Sequence, residues 1–429
     1  MKSIRKIVVL GANGAMGAGS GAVFACAGIP TTFLARTVEK AEAGRDRAVA
    51  LGKGKIDRGA IACGTYASDL GHALADADLV FEAVSEDLAT KRELFAVIDR
   101  LRNPDTIIAT VSSGLSIATI CADRSASFRR HFLGIHLFNP PTVIRGCELI
   151  AHTGTDPGVV AVVRDFLASQ CAREVIETSD TPAFAGNRVG FKVLNQVAQL
   201  AEEHGFAAMD QLVGPYTGRA MAPLATIDLV GWDVHAAIVD NLYASTHDVC
   251  HAQFALPEYM RALIAKGTLG RKSGGGFFKR DGKATLVLDL VTGNYRPVEE
   301  LAPPTPVFVE SMKNAIKHGR HAAAMEVLCT AEDREAQLLR EILLGYISYA
   351  LGLVGTVVER PRDIDRIMGF GFAWAPPSVL VDAIGPARTI ALLENARLPV
   401  PASIVQAAQH QRAMFDEPTV DRSRFFIAA

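Results

Sequence analysis

The chain has 429 residues, 49% of them hydrophobic and 21% charged, with a formal net charge of −2. That length suggests two or three domains, and the composition is that of a globular protein with ample material for a core. With no basic excess to neutralise phosphates, a nucleic-acid or anionic-membrane binder is excluded as a class, although local basic clusters can still hold a phosphorylated small molecule.

Seven cysteines stand at positions 26, 63, 121, 147, 171, 250 and 329, with no CxxC and no short regular spacing. They read as small buried hydrophobes in a reducing compartment, and neither a metal site nor a disulfide frame is expected. The opening residues, Met1 to Lys6, lead directly into a strand, with no signal-peptide h-region, and no long apolar span follows. A cytoplasmic protein is expected.

Residues 4–10 (IRKIVVL) form an apolar run short enough for a buried parallel strand. Gly11-Ala12-Asn13-Gly14-Ala15-Met16-Gly17 follows, then a small-residue helix over 18–27. A glycine turn between strand and helix lets the backbone approach a pyrophosphate, and the helix start supplies free N–H groups. The spacing is GxxGxxG, one residue longer in its first half than GxGxxG. A second strand, 31–34, ends at Ala35 and Arg36, where an acidic residue would hold the ribose 2′-hydroxyl. Arg36 suits either stacking on adenine or pairing with a 2′-phosphate, which leaves NAD against NADP open.

Helices over 38–51 and 88–101 and strands at 79–84, 106–111, 132–136 and 174–176 continue the alternation. Such a pattern predicts a Rossmann-type, doubly wound parallel sheet with helices on both faces. Between 132 and 150 the chain reads FLGIHLFNPPTVIRGCELI. Two short strands around a Pro-Pro turn would bring Glu148 beside His136 in a mostly dry setting. A carboxylate there fixes the imidazole tautomer and stabilises the imidazolium formed on proton uptake, as a general base requires. The alternative is a core histidine bonded to a backbone carbonyl.

After Thr181-Pro182 long helical patterns take over, beginning with 187–203. MAPLATIDLVG at 221–231 and APPSVLVDAIG at 375–385 both read P-x4-D-x2-G, on Pro223, Asp228, Gly231 and on Pro377, Asp382, Gly385. Self-similarity at that distance implies a duplicated module. The stretch from Gly270 to 306 reads as the linker between copies. The expected architecture is therefore α/β followed by two mainly α-helical modules, with domains at 1–182, 183–300 and 301–429.

LGANGAMGAG, FEAVSEDLATKRELF, TVSSGLSI, HLFNPPTVIRGCELI, AGNRVGFKVLN and GRKSGGGFF, in this order, resemble the L-3-hydroxyacyl-CoA dehydrogenases. The resemblance implies reversible oxidation of (S)-3-hydroxyacyl-CoA to 3-oxoacyl-CoA within fatty-acid β-oxidation. His136 would be the general base, oriented by Glu148. Ser113 and Asn187 would hold the substrate oxygen, and Asn139 would lie near the nicotinamide and the histidine. Gly11, Asn13, Gly14, Ala15, Met16, Gly17 and Arg36 would hold the dinucleotide, with Glu86, Lys91 and Lys272 as further contacts. Lys53, Lys55 and Arg58 are candidates for the phosphates of coenzyme A, or are an exposed basic loop.

Two positions depart from the family pattern, the extra residue at Asn13 and Ala35 in place of the acidic ribose ligand. The substrate would lie between the sheet's C-terminal edge and the first helical module. The tandem modules would form an internal pseudo-dimer, with the second copy structural and further association left open. A hydratase domain, which adjoins these modules in some long relatives, is not expected, since no βα pattern follows the second copy. Two other functions stay open: a related dehydrogenase of a non-CoA 3-hydroxy acid, and a non-catalytic dinucleotide-binding scaffold.

Overall fold

A computed structural model describes residues 3–417 and 420–427. The first two residues of the chain and the last two of the second module lie outside the described residues. Chain contacts divide the protein into two units, Met1–Phe184 and Ala185–Ala429. No helix among the described residues is long and apolar enough to cross a membrane.

Unit one is built on an eight-stranded sheet in the order β3-β2-β1-β4-β5-β6-β7-β8. Its strands are β1 (Ile7–Leu10), β2 (Thr31–Ala35), β3 (Ile61–Thr65), β4 (Leu79–Glu82), β5 (Ile107–Thr110), β6 (Phe132–Leu137), β7 (Gly146–Ala151) and β8 (Glu174–Ser179). All neighbours run parallel except β6 and β7, which pair antiparallel. The helices are α1 (Ala15–Cys26), α2 (Val38–Leu51), α3 (Leu70–Ala75), α4 (Leu88–Leu101), α5 (Ile117–Cys121), α6 (Ala126–Arg130) and α7 (Pro157–Ser169).

Both faces of the sheet are covered, which is why its central strands read as unbroken apolar runs. On one face Val9, Phe24, Phe33, Phe81, Leu149 and Phe166 share a core. On the other, Val8, Leu34 and Val80 join Phe95, whose ring meets those of Phe128 and Phe132 at 5.6 and 5.1 Å. Burying each such aromatic contributes on the order of 2–3 kcal/mol.

The expected alternation is present, with β3, α3, α5, α6 and α7 in addition. The sequence around β3 (IACGT) offers only one bulky apolar residue, so its strand character depends on pairing with β2. The cysteines are free, but only Cys121, Cys147 and Cys171 are buried; Cys26 is exposed and Cys63, Cys250 and Cys329 are half-buried.

Unit two begins with α8 (Gly186–His204), α9 (Phe206–Leu212), α10 (Pro223–Val230), α11 (Trp232–Ser245) and α12 (Glu258–Ala265). The stretch read as a linker carries a small antiparallel sheet of β9 (Phe278–Asp281), β10 (Ala284–Leu288) and β11 (Tyr295–Pro297). Gly282-Lys283, with Gly282 at φ 56°, turns the first hairpin between the paired Asp281 and Ala284, and that glycine was the available sequence signal. The chain continues through α13 (Val298–Leu301), α14 (Val307–Lys317), α15 (His321–Thr330), α16 (Arg334–Gly352), α17 (Pro361–Ile367), α18 (Pro377–Ile384), α19 (Pro386–Asn395) and α20 (Ala402–Gln409).

The P-x4-D-x2-G repeats have matching geometry. Each proline opens a helix, α10 or α18, and each glycine follows it with nearly the same backbone, Gly231 at φ 101° and ψ 132° and Gly385 at φ 97° and ψ 129°. Asp228 accepts from the N–H groups of Phe277 and Phe278 at 2.9 and 2.8 Å; Asp382 accepts from those of Met414 and Phe415 at 2.7 and 3.2 Å. Upstream, Asp210 accepts from the N–H groups of Leu224 and Ala225 at the start of α10, and Asp365 from that of Ser378 at the start of α18. Burial lifts both carboxyls to about 7. Helices α8 and α16 are each 19 residues long.

Between the copies, the Ala375 N–H donates to the Gly218 carbonyl at 2.6 Å, and the buried guanidinium of Arg219 lies 4.8 Å from the Trp374 ring centre. His235 is fully buried on α11, with Nε2 3.0 Å from Asn195 Oδ1 of α8. Burial drives its pKa from the ordinary 6.5 down to about 3. The unfolded chain therefore takes up a proton here that the folded chain refuses, and the stability involved is present above about pH 6.5 and lost as pH falls towards 3. Urea unfolding of the full chain at neutral pH and at pH 5 checks this. Between those values wild type is expected to lose up to about 2 kcal/mol more than His235→Phe, while equal losses would contradict the assignment.

Candidate active site

The C-terminal ends of β1 and β4 border the point where strand order reverses, the crevice in which open α/β sheets bind ligands. Gly11, at φ 74°, turns the chain out of β1; a Cβ there would stand 2.3 Å from the Ala83 carbonyl oxygen. Only glycine fits both the angle and the approach. Its N–H donates to the Tyr66 hydroxyl at 2.7 Å. Gly14 is the N-cap of α1 and no side chain caps that helix, so first-turn N–H groups remain for an anion. A Cβ on Gly14 would meet nothing nearer than 3.4 Å. An open space over an uncapped helix start fits the diphosphate of a dinucleotide. Asn13 and Ala15 are exposed beside it, Met16 is half-buried, and Gly17 is buried. Arg36, past the end of β2, is exposed and has no ion pair among the described residues.

Beyond β4, two carboxylates are organised by one lysine. Lys91 and Glu82 are wholly buried, and the ammonium donates to both Glu82 oxygens at 2.8 Å. Glu82 also accepts from the Thr110 hydroxyl and the Val84 N–H, each at 2.6 Å. So many charge-assisted bonds are what a buried ion pair needs to offset its desolvation. Lys91 lies 3.5 Å from Glu86 as well. It therefore stands behind Glu86 rather than presenting a cation to a cofactor.

Glu86 Oε1 accepts from the Ser112 hydroxyl at 2.5 Å and from the N–H groups of Ser113 and Gly114 at 2.9 and 3.0 Å. Burial works against its ionisation, but Lys91 and these bonds outweigh it and hold the carboxyl below its ordinary pKa. The loop carrying Ser113 is thus pinned through its backbone, and the Ser113 hydroxyl makes no hydrogen bond to another described residue.

His136 and Glu148 face each other across the antiparallel β6–β7 pair, in direct register. Nδ1 of the imidazole is 2.6 Å from Glu148 Oε2, with the residues 6% and 0% exposed. With a carboxylate on Nδ1, the proton belongs there and Nε2 carries the free lone pair. Phe138 and Phe184 wall the ring at centroid distances of 5.1 and 5.8 Å. Phe184 and its neighbour Ala183 hold φ of 52° and 57°, left-handed values that non-glycine residues adopt at a cost of about 1–3 kcal/mol each. Such strain collects at functional sites.

The turn after β6 contains a cis Asn139–Pro140 bond, with Asn139 exposed. Pro141 packs on α1, where a Cβ at Gly19 would lie 3.0 Å from its Cδ. That contact fastens the histidine's turn to the glycine-loop helix.

The remaining candidates differ in exposure and pairing. Lys53 and Lys55 are exposed near the end of α2, and Arg58 pairs with Asp46 at 2.9 Å with both side chains more than half exposed. In unit two, Asn187 lies in the first turn of α8 at 7% exposure, and Lys272 pairs with Asp233. Sequence reasoning missed Tyr66, Glu82, Ser112 and Phe184. Only Glu82 carried a signal, a carboxylate inside an otherwise apolar strand.

Residues 6–181 match the family model for the NAD binding domain of 3-hydroxyacyl-CoA dehydrogenase, and residues 184–280 match the model for its C-terminal domain. A probable 3-hydroxyacyl-CoA dehydrogenase of Bacillus subtilis (strain 168) is 30% identical over 432 residues, covering 94% of this chain and 54% of the relative. The chain thus spans about half the length of that relative. A probable 3-hydroxyacyl-CoA dehydrogenase of Deinococcus radiodurans is 35% identical over 291 residues, covering 65% of this chain and 83% of the relative. The crystal structure of 3-hydroxybutyryl-CoA dehydrogenase from Escherichia coli K12 covers 95% of this chain and 99% of its own at a TM-score of 0.70. At 21% identity that likeness speaks to the fold alone. With residues 6–181 and 184–280 matched in turn by the family's two domain models, and a 35% identical relative covered over 83% of its length, the chain belongs to the 3-hydroxyacyl-CoA dehydrogenase family.

Proposed function

We propose that the protein interconverts (S)-3-hydroxyacyl-CoA and 3-oxoacyl-CoA, with His136 as general base. The observation that supports this most is the 2.6 Å contact between His136 Nδ1 and Glu148, which leaves Nε2 bare in a site walled by phenylalanines. Nε2 accepts the proton of the C3 hydroxyl during oxidation and returns it during reduction. Glu148 keeps the ring in the productive tautomer and stabilises the imidazolium. The Ser113 hydroxyl and the Asn187 amide hold the C3 oxygen as its charge changes. When bound, the nicotinamide supplies the hydride acceptor or donor. In this reading Asn139 lines the nicotinamide side of the histidine, and Glu86, held by Lys91, faces the cofactor. Lys53, Lys55 and Arg58 serve the phosphates of coenzyme A.

The names carried by the relatives support the acyl-CoA substrate class. A free 3-hydroxy acid as substrate would need no contribution from the three basic residues, so kinetics with thioester and free acid separate the two. For the cofactor, we propose that Arg36 accommodates a 2′-phosphate as well as an adenine ring, so that NADH and NADPH both serve.

Two measurements check these assignments. His136→Gln is expected to lower kcat with acetoacetyl-CoA by about 10²–10⁴-fold while NADH binding survives, and a loss below about tenfold would contradict a general base. Arg36→Ala is expected to lower kcat/KM for NADPH relative to NADH by about tenfold, the value of one lost charge-assisted contact. An unchanged ratio would remove Arg36 from cofactor choice.

A further inference from the structure

Tyr66 follows β3 directly, and its N–H donates at 3.1 Å to the carbonyl of Ala35, the last residue of β2. In the sheet β2 lies between β3 and β1. The phenol nevertheless reaches past β2, and its hydroxyl accepts the Gly11 N–H beyond the end of β1 at 2.7 Å. The ring packs against the core that holds Leu34 and Val80. One side chain thus bridges the end of β2 and the glycine turn. In a dinucleotide fold those two segments take the adenosine ribose and the diphosphate.

The end of β2 is also where the chain lacks a ribose ligand, since Ala35 offers a methyl in place of a carboxylate. A phenol is acceptor and donor at once. Accepting from Gly11 leaves the Tyr66 hydroxyl its own proton, and among the described residues that proton has no acceptor. The residue is half-buried at this edge of the sheet. Burial, helped by the charge of Glu82, raises its pKa above the ordinary 10 against the pull of the Gly11 bond and Arg36. At neutral pH the group is therefore an uncharged donor. It suits a ribose hydroxyl and, unlike a carboxylate, does not repel a 2′-phosphate.

We infer that Tyr66 binds the adenosine ribose: its O–H donates to the 2′-oxygen of the dinucleotide, taking the role left open at Ala35. This rests on the dinucleotide reading of the glycine turn. One oxygen then serves two ends, holding Gly11 through its lone pair and the ligand through its proton. With NADPH the acceptor is a phosphate oxygen, and the bond becomes charge-assisted. Tyr66 and Arg36 together thus replace a carboxylate that would select against the 2′-phosphate.

The test is equilibrium binding to the full chain, read by the fluorescence of the reduced nicotinamide. The probes are NADH, NADPH and an NADH whose adenosine ribose lacks the 2′-hydroxyl. Wild type is expected to bind NADH about two- to tenfold more tightly than the 2′-deoxy probe, the value of one neutral hydrogen bond. Tyr66→Phe keeps the ring and removes only the oxygen, and in that variant the preference is expected to vanish. Its Kd for NADPH should rise by about ten- to a hundredfold, as for a bond to a charged group. Losses of equal size on NADH and the 2′-deoxy probe would overturn the ribose contact and leave the hydroxyl as a prop for Gly11. Equal affinity of wild type for those two probes would overturn it without any variant, should Tyr66→Phe prove insoluble. A wild type that binds none of the three would instead remove the dinucleotide reading of the glycine turn, and this role with it.

Discussion

An imidazole and a carboxylate share one proton-bearing contact of 2.6 Å across β6 and β7, and the surroundings are built to keep it. The two strands run antiparallel and set His136 directly opposite Glu148, the antiparallel pair within an otherwise parallel sheet. The tight return between them, through Asn139, Pro140 and Pro141, both sets that register and packs against α1. Chemistry and cofactor loop are therefore tied to the same helix. A shift of one residue in the β6–β7 pairing would turn one of the two side chains to the other face.

A second set of buried charges plays the supporting part. Lys91 and Glu82 have no exposure at all, and their pairing is stabilised by Thr110 and the Val84 N–H. The product of that arrangement is a fixed Glu86, which gathers Ser112, Ser113 and Gly114. The loop after β5 and the loop after β4 are thereby held as one piece at the edge of the sheet where the glycine turn also lies. Rigidity here comes from polar groups that are fully satisfied, the condition under which a buried network specifies one geometry.

Much of this could be read in the residues before any coordinates. The apolar runs of β1, β4, β5 and β6 are visible because both faces of a parallel sheet are covered. The His136–Glu148 pairing followed from two apolar segments around a Pro-Pro turn, and the matching ends of α10 and α18 from two prolines, two aspartates and two glycines at equal spacing. What escaped has a common cause. β3 holds only Ile61 as a bulky apolar residue and becomes a strand through its neighbour, so local pattern is silent. The β9–β11 sheet is short and at most half-buried over most of its length, and the glycine of its Gly282-Lys283 turn was the one clue inside a glycine-rich stretch. Lys91, expected as a contact to the dinucleotide, is instead wholly buried. Its burial depends on Glu82, nine residues earlier on a different element, and no periodicity records such a contact.

The two P-x4-D-x2-G segments are built alike although their surroundings differ. Asp228 and Asp382 do the same work, each tying a later stretch of backbone to the end of its helix. Asn187 and Arg188 head the first copy alone, while the second copy supplies aromatic groups, Trp374 to Arg219 and Tyr349 to Arg188. Nitrogen NMR of the His136 imidazole in the folded full chain at neutral pH reads out which ring nitrogen carries the proton. The Glu148 contact predicts a proton on Nδ1 and a bare Nε2. A ring protonated on Nε2 with Nδ1 bare would contradict it, because the nitrogen offered to the substrate could not then accept a proton.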